Sequence, residues 1–323
     1  MDLVDTLRSK IAILDDGDHM SGLQSTLGHI EVSFRHLARG QKDGDETAFT
    51  DAIYRTNQAF EGSIKEAYRV LTGKDPQKKT PFKIEEYLET NSVFRERVLN
   101  QFKNYRTEWR NPSAHDYKLD FDESEAFLAI ISVSAFACLL SDQIAATITS
   151  NASKAAAKSL KPPASVNSQA ASLYDQAAAL IQKTISTNGL IMPTGLMSEA
   201  MLIGSLHGVF ASVYPDIEVQ MEATLAPNTS IPAPNKRRYI ADLLLSKGSE
   251  KLIIELKRYS RARGIILGRD QVERYLEVSG LTNALLVYVP DKSEETELVS
   301  YTPKHSNAKI GIILPTSANN SGT

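Results

Sequence analysis

The spacing of apolar residues changes about halfway along the chain, and this change limits the folds that the chain can adopt. In the first half, apolar side chains recur every three or four positions, as in helices that bury one face. One such run is Phe49, Ile53, Phe60, Ile64 and Tyr68. In the second half, several runs alternate between apolar and polar residues, which is typical of strands. The pattern predicts an all-α helical bundle followed by an α/β domain with a mixed central sheet.

The same change predicts the domain boundaries. Residues 1–150 are expected to form the helical domain, and residues 173–315 the α/β domain. Residues 151–172 are rich in Ala, Ser and Lys and contain Pro162-Pro163, a composition that favours a linker. Residues 316–323 are small and polar, which is typical of a flexible tail.

Individual helices and strands are predicted from the same spacing. In the first half, helices are expected over 28–37, 47–71, 92–109 and 122–146, the last opened by Asp122 and Glu125 as a capping box. Asn111-Pro112 is expected to end the third helix, because the residue before proline disfavours helical backbone. In the second half, helices are expected over 174–186, 198–214 and 269–279, and strands over 217–225, 239–245, 251–257, 284–289 and 310–314.

Composition excludes several classes of protein. With 42% hydrophobic and 23% charged residues, the chain is neither wholly disordered nor fibrous. The single cysteine, Cys138, permits no disulfide within the chain, which fits a reducing compartment. The first ten residues carry Asp2 and Asp5 and lack the apolar core of a signal peptide. The apolar run 126–148 contains too many polar residues for a membrane span. We therefore expect a cytoplasmic protein that makes no membrane contact.

Two of the predicted strands form a hairpin that brings two acids together. Gly248-Ser249 is a dipeptide that suits a two-residue hairpin turn, so Lys247 is expected to pair with Glu250. Counting back along both strands then places Asp242 opposite Glu255, with their Cβ atoms about 4.5–5.5 Å apart. The two-residue period of a strand puts Lys257 on the same face as Glu255.

Two facing carboxylates repel each other, so a strand pair that holds them requires a compensating charge. Oxygen ligands of this kind suit Mg²⁺ or Mn²⁺, which can activate a water and neutralise charge on a phosphate. The ammonium group of Lys257 can stabilise the same transition state. A third acid, Glu199, lies on the apolar stripe of the helix predicted over 198–214. Gln271 and Tyr275 are four residues apart and therefore share one face of a later helix.

The order Asp242, twelve intervening residues and Glu255-Leu256-Lys257 resembles the core of the PD-(D/E)XK, or restriction-endonuclease-like, superfamily. Gln271-x-x-x-Tyr275 is similar to the helix motif of its Mrr-like members, and Glu199 matches the acid that many members carry on the first helix. The resemblance covers roughly 174–314 and departs from the family name at Ala241, where the name has proline. It implies a magnesium site formed by Asp242, Glu255 and Glu199, with Lys257 and Gln271 as further catalytic residues. The implied reaction is hydrolysis of phosphodiester bonds, most often in DNA.

Basic residues are concentrated around this proposed site. From Asn235 to Tyr275 there are eleven Lys or Arg and five Asp or Glu, although the whole chain has a net charge of -3. Such a local excess suits a phosphate backbone, whereas a solvated basic face is the simpler alternative. The residues predicted to bind nucleic acid are Lys236, Arg237, Arg238, Arg258, Arg261, Arg263 and Tyr275, with Arg269 nearby.

A second motif, Arg110-Asn111-Pro112-Ser113-Ala114-His115, falls between two predicted helices. Histidine can transfer protons near neutral pH, and arginine can hold a phosphate, so Arg110 and His115 could cleave RNA without a metal. The R-N-x-x-x-H spacing resembles the HEPN superfamily over roughly 48–148. That resemblance implies a helical domain that forms a homodimer, with Arg110 and His115 as the catalytic pair.

Three hypotheses remain open at this stage. The first is a dimeric, metal-dependent nuclease, acting most readily on DNA, in a bacterial antiviral or toxin-type role that rests on analogy alone. The second is a metal-independent ribonuclease that uses Arg110 and His115, with the C-terminal domain sensing nucleic acid. The third is a non-catalytic nucleic-acid-binding scaffold for a partner subunit. A partner subunit that supplies specificity is also considered, because the sequence shows no separate recognition module such as a helix-turn-helix or a zinc finger.

Overall fold

The computed structural model describes residues 2–14, 17–115, 119–163, 171–187, 190, 195, 197–227, 239–258, 262–303 and 307–316. The chain divides into two compact units, Met1–Thr147 and Ile148–Thr323. The first unit is helical, and the second contains a six-stranded mixed sheet with helices. The predicted order of an all-α part followed by an α/β part is therefore confirmed.

The helical unit contains α1 (Leu3–Ile13), α2 (Met20–Asp43), α3 (Thr47–Thr72), α4 (Pro81–Thr90), α5 (Glu96–Tyr105), a π-helical turn (Arg106–Arg110), α6 (Asn111–His115) and the first part of α7 (Glu123–Ala156). Aromatic rings at helical spacing form its centre. The ring of Phe60 lies 5.5 Å from Phe102, 4.8 Å from Tyr105 and 5.4 Å from Phe136 between centroids. The apolar stripes read from the sequence of α3, α5 and α7 thus meet in one core. Sequence spacing did not predict α1 or α4, and α2 begins earlier than expected.

The start of α7 follows its predicted chemistry. The Glu125 N–H donates to Asp122 Oδ1 (2.8 Å), and the Asp122 N–H donates to Glu125 Oε2 (2.9 Å). Each side chain thereby satisfies a backbone donor that the first helical turn leaves free. The predicted capping box is confirmed.

The prediction that Asn111-Pro112 ends a helix is wrong. Helical backbone continues through Pro112 to His115, because a π-helical turn precedes the proline. In this turn the Asn111 N–H bonds to the Arg106 carbonyl, five residues back. The wider turn changes the path of the chain just before Pro112. Proline lacks an N–H, and in a regular α-helix its ring would clash with the carbonyl four residues earlier.

The helix α7 continues past the boundary between the units, and a 3-10 turn (Ala157–Ser159) follows it. The first residues of the segment predicted as a linker are therefore helical, and Ala157 packs in the core of the second unit. The span Glu123–Ser159 is long and apolar enough to cross a membrane by composition, but 56% of its most apolar window is buried within the protein. Its buried residues Ile130, Val133 and Phe136 lie in the core of the helical unit. We interpret α7 as a core helix.

The second unit is a sheet with helices on both faces. Its helices are α8 (Leu173–Thr187), α9 (Ser198–Val213) and α10 (Ala262–Ser279), and its strands are β1 (Glu218–Leu225), β2 (Tyr239–Lys247), β3 (Glu250–Arg258), β4 (Asn283–Val289), β5 (Thr296–Tyr301) and β6 (Lys309–Pro315). The strand order is β1-β2-β3-β4-β6-β5. The pairs β3–β4 and β4–β6 are parallel, and the other three are antiparallel. The sequence pattern missed β5, an edge strand.

Each face of the sheet has its own apolar core. On the α8/α9 face, Leu243, Leu245, Leu252, Ile254 and Leu256 of the sheet pack with α8 and α9. On the α10 face, Ala241, Ile253, Leu286, Tyr288 and Ile312 pack with Val272, Tyr275 and Leu276 of α10. Strands buried on both faces explain why β3, β4 and β6 read as nearly continuous apolar runs.

Candidate active site in the second unit

The β2–β3 hairpin has the predicted turn and register. Gly248, in the left-handed conformation with φ of 59°, and Ser249 form the turn. The ladder then runs from Lys247↔Glu250 to Leu243↔Ile254. One further step along this register brings Asp242 opposite Glu255.

The backbone ladder between β2 and β3 stops at Asp242, where a bond to the side chain of Asp242 replaces the next backbone hydrogen bond. The Leu256 N–H donates to Asp242 Oδ2 at 2.7 Å. In a continued antiparallel ladder this N–H would donate to the carbonyl of Ala241, because hydrogen-bonded pairs recur at every second residue after the tight turn. The strands therefore separate at this point, and the Asp242 carboxylate bonds across the gap to β3.

Both acids are buried and repel each other. Asp242 is 7% exposed and Glu255 is 2% exposed. Burial raises the pKa of the Asp242 carboxyl well above its usual range, and the negative charge of Glu255 raises it further. Burial also raises the pKa of Glu255, although the charge of Lys257 opposes that rise. In the folded protein the acid pair therefore tends to keep a proton, unless a cation compensates its negative charge.

A short chain of hydrogen bonds holds one oxygen of Glu255. Its Oε1 accepts from Lys257 Nζ and from Gln271 Nε2, each at 2.6 Å. Gln271 Nε2 also lies 2.6 Å from the Tyr275 hydroxyl, which donates to the Ile240 carbonyl at 2.8 Å. The two polar residues of α10 thus connect β3 to β2 at the site, and Tyr275 acts inside the protein as a support for Gln271.

Lys257 provides the positive charge of the site. Its side chain is 33% exposed. Burial alone would lower the pKa of its ammonium group, but the charge and the hydrogen bond of Glu255, together with the charge of Asp242, raise it overall. Lys257 therefore remains protonated and can stabilise negative charge beside the acid pair.

Glu199 lies in the first turn of α9 and is exposed. Its negative charge raises the pKa of both Asp242 and Glu255, so its field reaches the pair. Within the described residues, no three His, Cys, Asp or Glu side chains form a group that could hold a metal ion. As placed, Glu199 therefore contributes charge near the site and does not complete a closed ligand set.

The acid pair itself fits a hard divalent cation. Glu255 Oε2 is buried, and among the described residues it has no hydrogen-bond partner. The bond from Leu256 engages only Oδ2 of Asp242. An oxygen buried without a donor is costly, and a cation bound by two carboxylates would satisfy it.

Few of the predicted nucleic-acid contacts fall on described side chains. Arg258 is 56% exposed, and its Nε lies 3.5 Å from Asp291 Oδ1. Lys236, Arg237, Arg238 and Arg261 lie outside the described residues. Arg263 belongs to the first turn of α10, and its side chain lies outside the described part of the chain.

The Arg110 motif in the helical unit has a different environment. Arg110 Nε lies 3.8 Å from Oε1 of Glu85, a buried residue of α4, and Arg110 Nη1 donates to Asn111 Oδ1 at 3.2 Å. Burial raises the pKa of Glu85, and the charge of Arg110 opposes that rise. His115 ends α6, and its side chain lies outside the described residues. The guanidinium group of Arg110 therefore compensates a buried carboxylate of its own unit.

Two residues at these sites were not found from the sequence. Glu85 belongs to α4, a short helix with a polar sequence that gives little periodic signal. Glu222 of β1 has a left-handed backbone, with φ of 49°, at the position opposite Asp242. Because glutamate rarely adopts this conformation, no local sequence signal marks it.

Comparison of the chain with models of protein families, with curated proteins and with solved structures gives no match in any of the three. The interpretation of the site therefore depends on its own geometry.

Proposed function

We propose that the chain is a metal-dependent nuclease that hydrolyses phosphodiester bonds, with DNA as the main substrate. The observation that carries this proposal is the buried pair Asp242 and Glu255, whose mutual repulsion a bound cation would relieve, beside the ammonium group of Lys257. Asp242, Glu255 and Lys257 are also the residues that carry the resemblance to the PD-(D/E)XK superfamily, which supports the proposal.

Each residue has a stated role in this proposal. Asp242 and Glu255 would hold Mg²⁺ or Mn²⁺, and Glu199 would contribute negative charge from α9. The bound ion would supply Lewis-acid activation of a phosphate and a water that is more readily deprotonated. Lys257 stabilises charge that develops on the phosphate, because its ammonium group is fixed beside the acids. Gln271 orients the Glu255 carboxylate, and Tyr275 orients Gln271.

The wider setting is also part of the proposal. By its resemblance to the HEPN superfamily, the helical unit would pair two chains. The combination of the two resemblances supports a defence-type role with nucleic acid as the partner, and the single cysteine fits action in the cytoplasm. Arg110 already pairs with the buried Glu85, so we do not assign the cleavage of RNA to it.

Incubation of the purified protein with linear and circular DNA and with RNA tests the proposal. The wild-type protein is expected to cut DNA with Mg²⁺ or Mn²⁺ and not in a chelator. Glu255→Gln is expected to lose about 100-fold or more of the activity, as expected for damage to a metal site. Glu277→Gln is the matched control, since Glu277 is 58% exposed and pairs with Arg274 on the same unit.

Cleavage that persists both in chelator and in Glu255→Gln would overturn the proposal. If that cleavage acted on RNA and disappeared in His115→Ala, the metal-independent ribonuclease hypothesis would replace it. Binding of nucleic acid without any cleavage would support the scaffold hypothesis.

A further inference from the structure

The ladder between β1 and β2 has a gap at the position that faces the site. It runs from Glu218↔Ser246 to Met221↔Leu243, then omits one position and resumes from Ala223↔Ala241 to Leu225↔Tyr239. The omitted position is Glu222 opposite Asp242. Glu222 has φ of 49°, and Ser92 is the other residue besides glycine with positive φ among the described residues.

Both strands change faces at this gap. On β1, Val219 and Met221 pack on the α8/α9 face, whereas Leu225 packs on the α10 face. Four residues of regular strand would leave Met221 and Leu225 on the same face. On β2, Leu243 faces α8 and α9, whereas Ala241 faces α10. The register is the same on both sides of the gap, because one residue is omitted on each strand. No residue is inserted, and the left-handed Glu222 marks a local reversal of the pleat.

The change of faces coincides with the separation of β2 from β3. Beyond the gap, β2 remains paired with β1, while its ladder with β3 has ended at Leu243↔Ile254. The space that opens is bridged by the bond from the Leu256 N–H to Asp242 Oδ2. The left-handed residue on β1 and the placement of the acid on β2 are thus parts of one distortion.

We propose that Glu222 is a positioning residue of the site, and that its left-handed backbone turns Asp242 out of the ladder and toward Glu255. The inference rests on the proposed function for its consequence in catalysis, but the geometry it explains is that of the acid pair itself. Strained backbone conformations of this kind are concentrated at functional sites, where the surrounding structure maintains them. The proposal concerns the backbone of Glu222 and not its carboxylate.

A series of substitutions at Glu222 separates the role of its backbone from that of its carboxylate. Glycine adopts the left-handed conformation without cost and asparagine adopts it readily, whereas alanine resists it and valine resists it most. Two measurements follow the acid pair directly. The first is the affinity for Mn²⁺, measured by calorimetry. The second is the hydrogen-exchange protection of the Leu256 N–H in chelator, which reports the bond that joins Asp242 to β3.

Glu222→Gly and Glu222→Asn are expected to keep both the affinity for Mn²⁺ and the Leu256 protection of the wild-type protein. Glu222→Val is expected to lower the affinity for Mn²⁺ about 10-fold or more, as disturbed support of metal ligands does. It is also expected to lose protection of the Leu256 N–H, since Asp242 is no longer held toward β3. Glu222→Ala lies between, and it serves in place of valine if Glu222→Val does not fold.

Two results would overturn the inference. In the first, Glu222→Val and Glu222→Ala both match the wild-type protein. In the second, Glu222→Gly and Glu222→Asn are as impaired as Glu222→Val, which would assign the role to the carboxylate. If the wild-type protein binds no Mn²⁺, the proposed function fails, and the protection of the Leu256 N–H in chelator still decides the role of Glu222.

Discussion

Replacing Asp242 by asparagine is expected to stabilise the metal-free protein at neutral pH while it removes a ligand of the proposed site. The substitution keeps the shape of the side chain and an oxygen that can accept the Leu256 N–H. It removes one of two buried charges of the same sign. Stability and activity are therefore expected to change in opposite directions.

The size of the gain follows from the spacing of the two acids. Two like charges about 5 Å apart at an effective dielectric constant of about 20 repel by about 3 kcal/mol. Partial protonation and the nearby ammonium group of Lys257 reduce this repulsion, so the free energy of unfolding should rise by about 1–3 kcal/mol. For a unit of this size the melting temperature should increase by about 3–10 °C.

The gain in stability from Asp242→Asn must increase as the pH rises. The pKa values of both acids are raised in the folded state, so the folded protein binds more protons than the unfolded chain between the unfolded and folded pKa values. The stability of the wild-type protein therefore falls as the pH rises through the raised pKa values. Below the unfolded pKa values, at about pH 3, both acids are protonated in either state and the gain in Asp242→Asn should disappear.

Thermal unfolding in chelator between pH 3 and pH 8 measures this gain. Asp216→Asn is the matched control, because Asp216 is 58% exposed and its pKa is lowered by a hydrogen bond from Lys247. Asp216→Asn should leave stability unchanged or lower it slightly at neutral pH. Equal melting temperatures of wild type and Asp242→Asn at neutral pH would refute the reasoning, as would a gain of the same size at pH 3.

Three further predictions concern other contacts. Lys257→Met leaves Glu255 without its compensating charge. The metal-free protein should therefore lose stability at pH 8 but not at pH 4, as measured by thermal unfolding at the two pH values. Arg110→Ala removes the charge beside the buried Glu85 and should lower the free energy of unfolding of the helical unit by about 1–3 kcal/mol, measured by chemical denaturation. The double variant Arg110→Ala/Glu85→Gln should recover much of that loss. Gly311→Ala would place a Cβ in steric overlap with the hydroxyl of the buried Tyr174, so chemical denaturation should show a loss of about 1–3 kcal/mol.

Much of the hairpin could be predicted from the sequence because its information is local. The dipeptide Gly248-Ser249 determines a two-residue turn, and the period of two then carries the register back to the acids. The capping box at Asp122 is equally local, since both partners lie within one turn. At these two places a short stretch of chain contains both the signal and its consequence, and sequence reasoning agreed with the structure.

The remaining features depend on contacts between distant parts of the chain. Asp242 leaves its ladder opposite Glu222 of β1, whose backbone is left-handed. The glutamate side chain does not indicate this conformation, so local sequence could not predict it. The bond between Gln271 and Glu255 joins a helix to a strand, so spacing along either element could not give it. The π-helical turn before Pro112 is an exception, because it is local: it overrides a rule that holds for regular α-helix. β5 is short and half exposed, so tertiary pairing with β6 rather than an apolar pattern defines it.

The hairpin has a consequence for how the second unit folds. Its two strands are joined by the shortest connection in the sheet, whereas the parallel pairing of β3 with β4 must enclose α10 between them. Loop-closure entropy therefore favours early formation of the hairpin, and the two acids would meet before the sheet that buries them is complete. At neutral pH their repulsion would then raise the barrier to folding. Refolding should accordingly become faster in mild acid or in the presence of a divalent ion that binds the nascent hairpin.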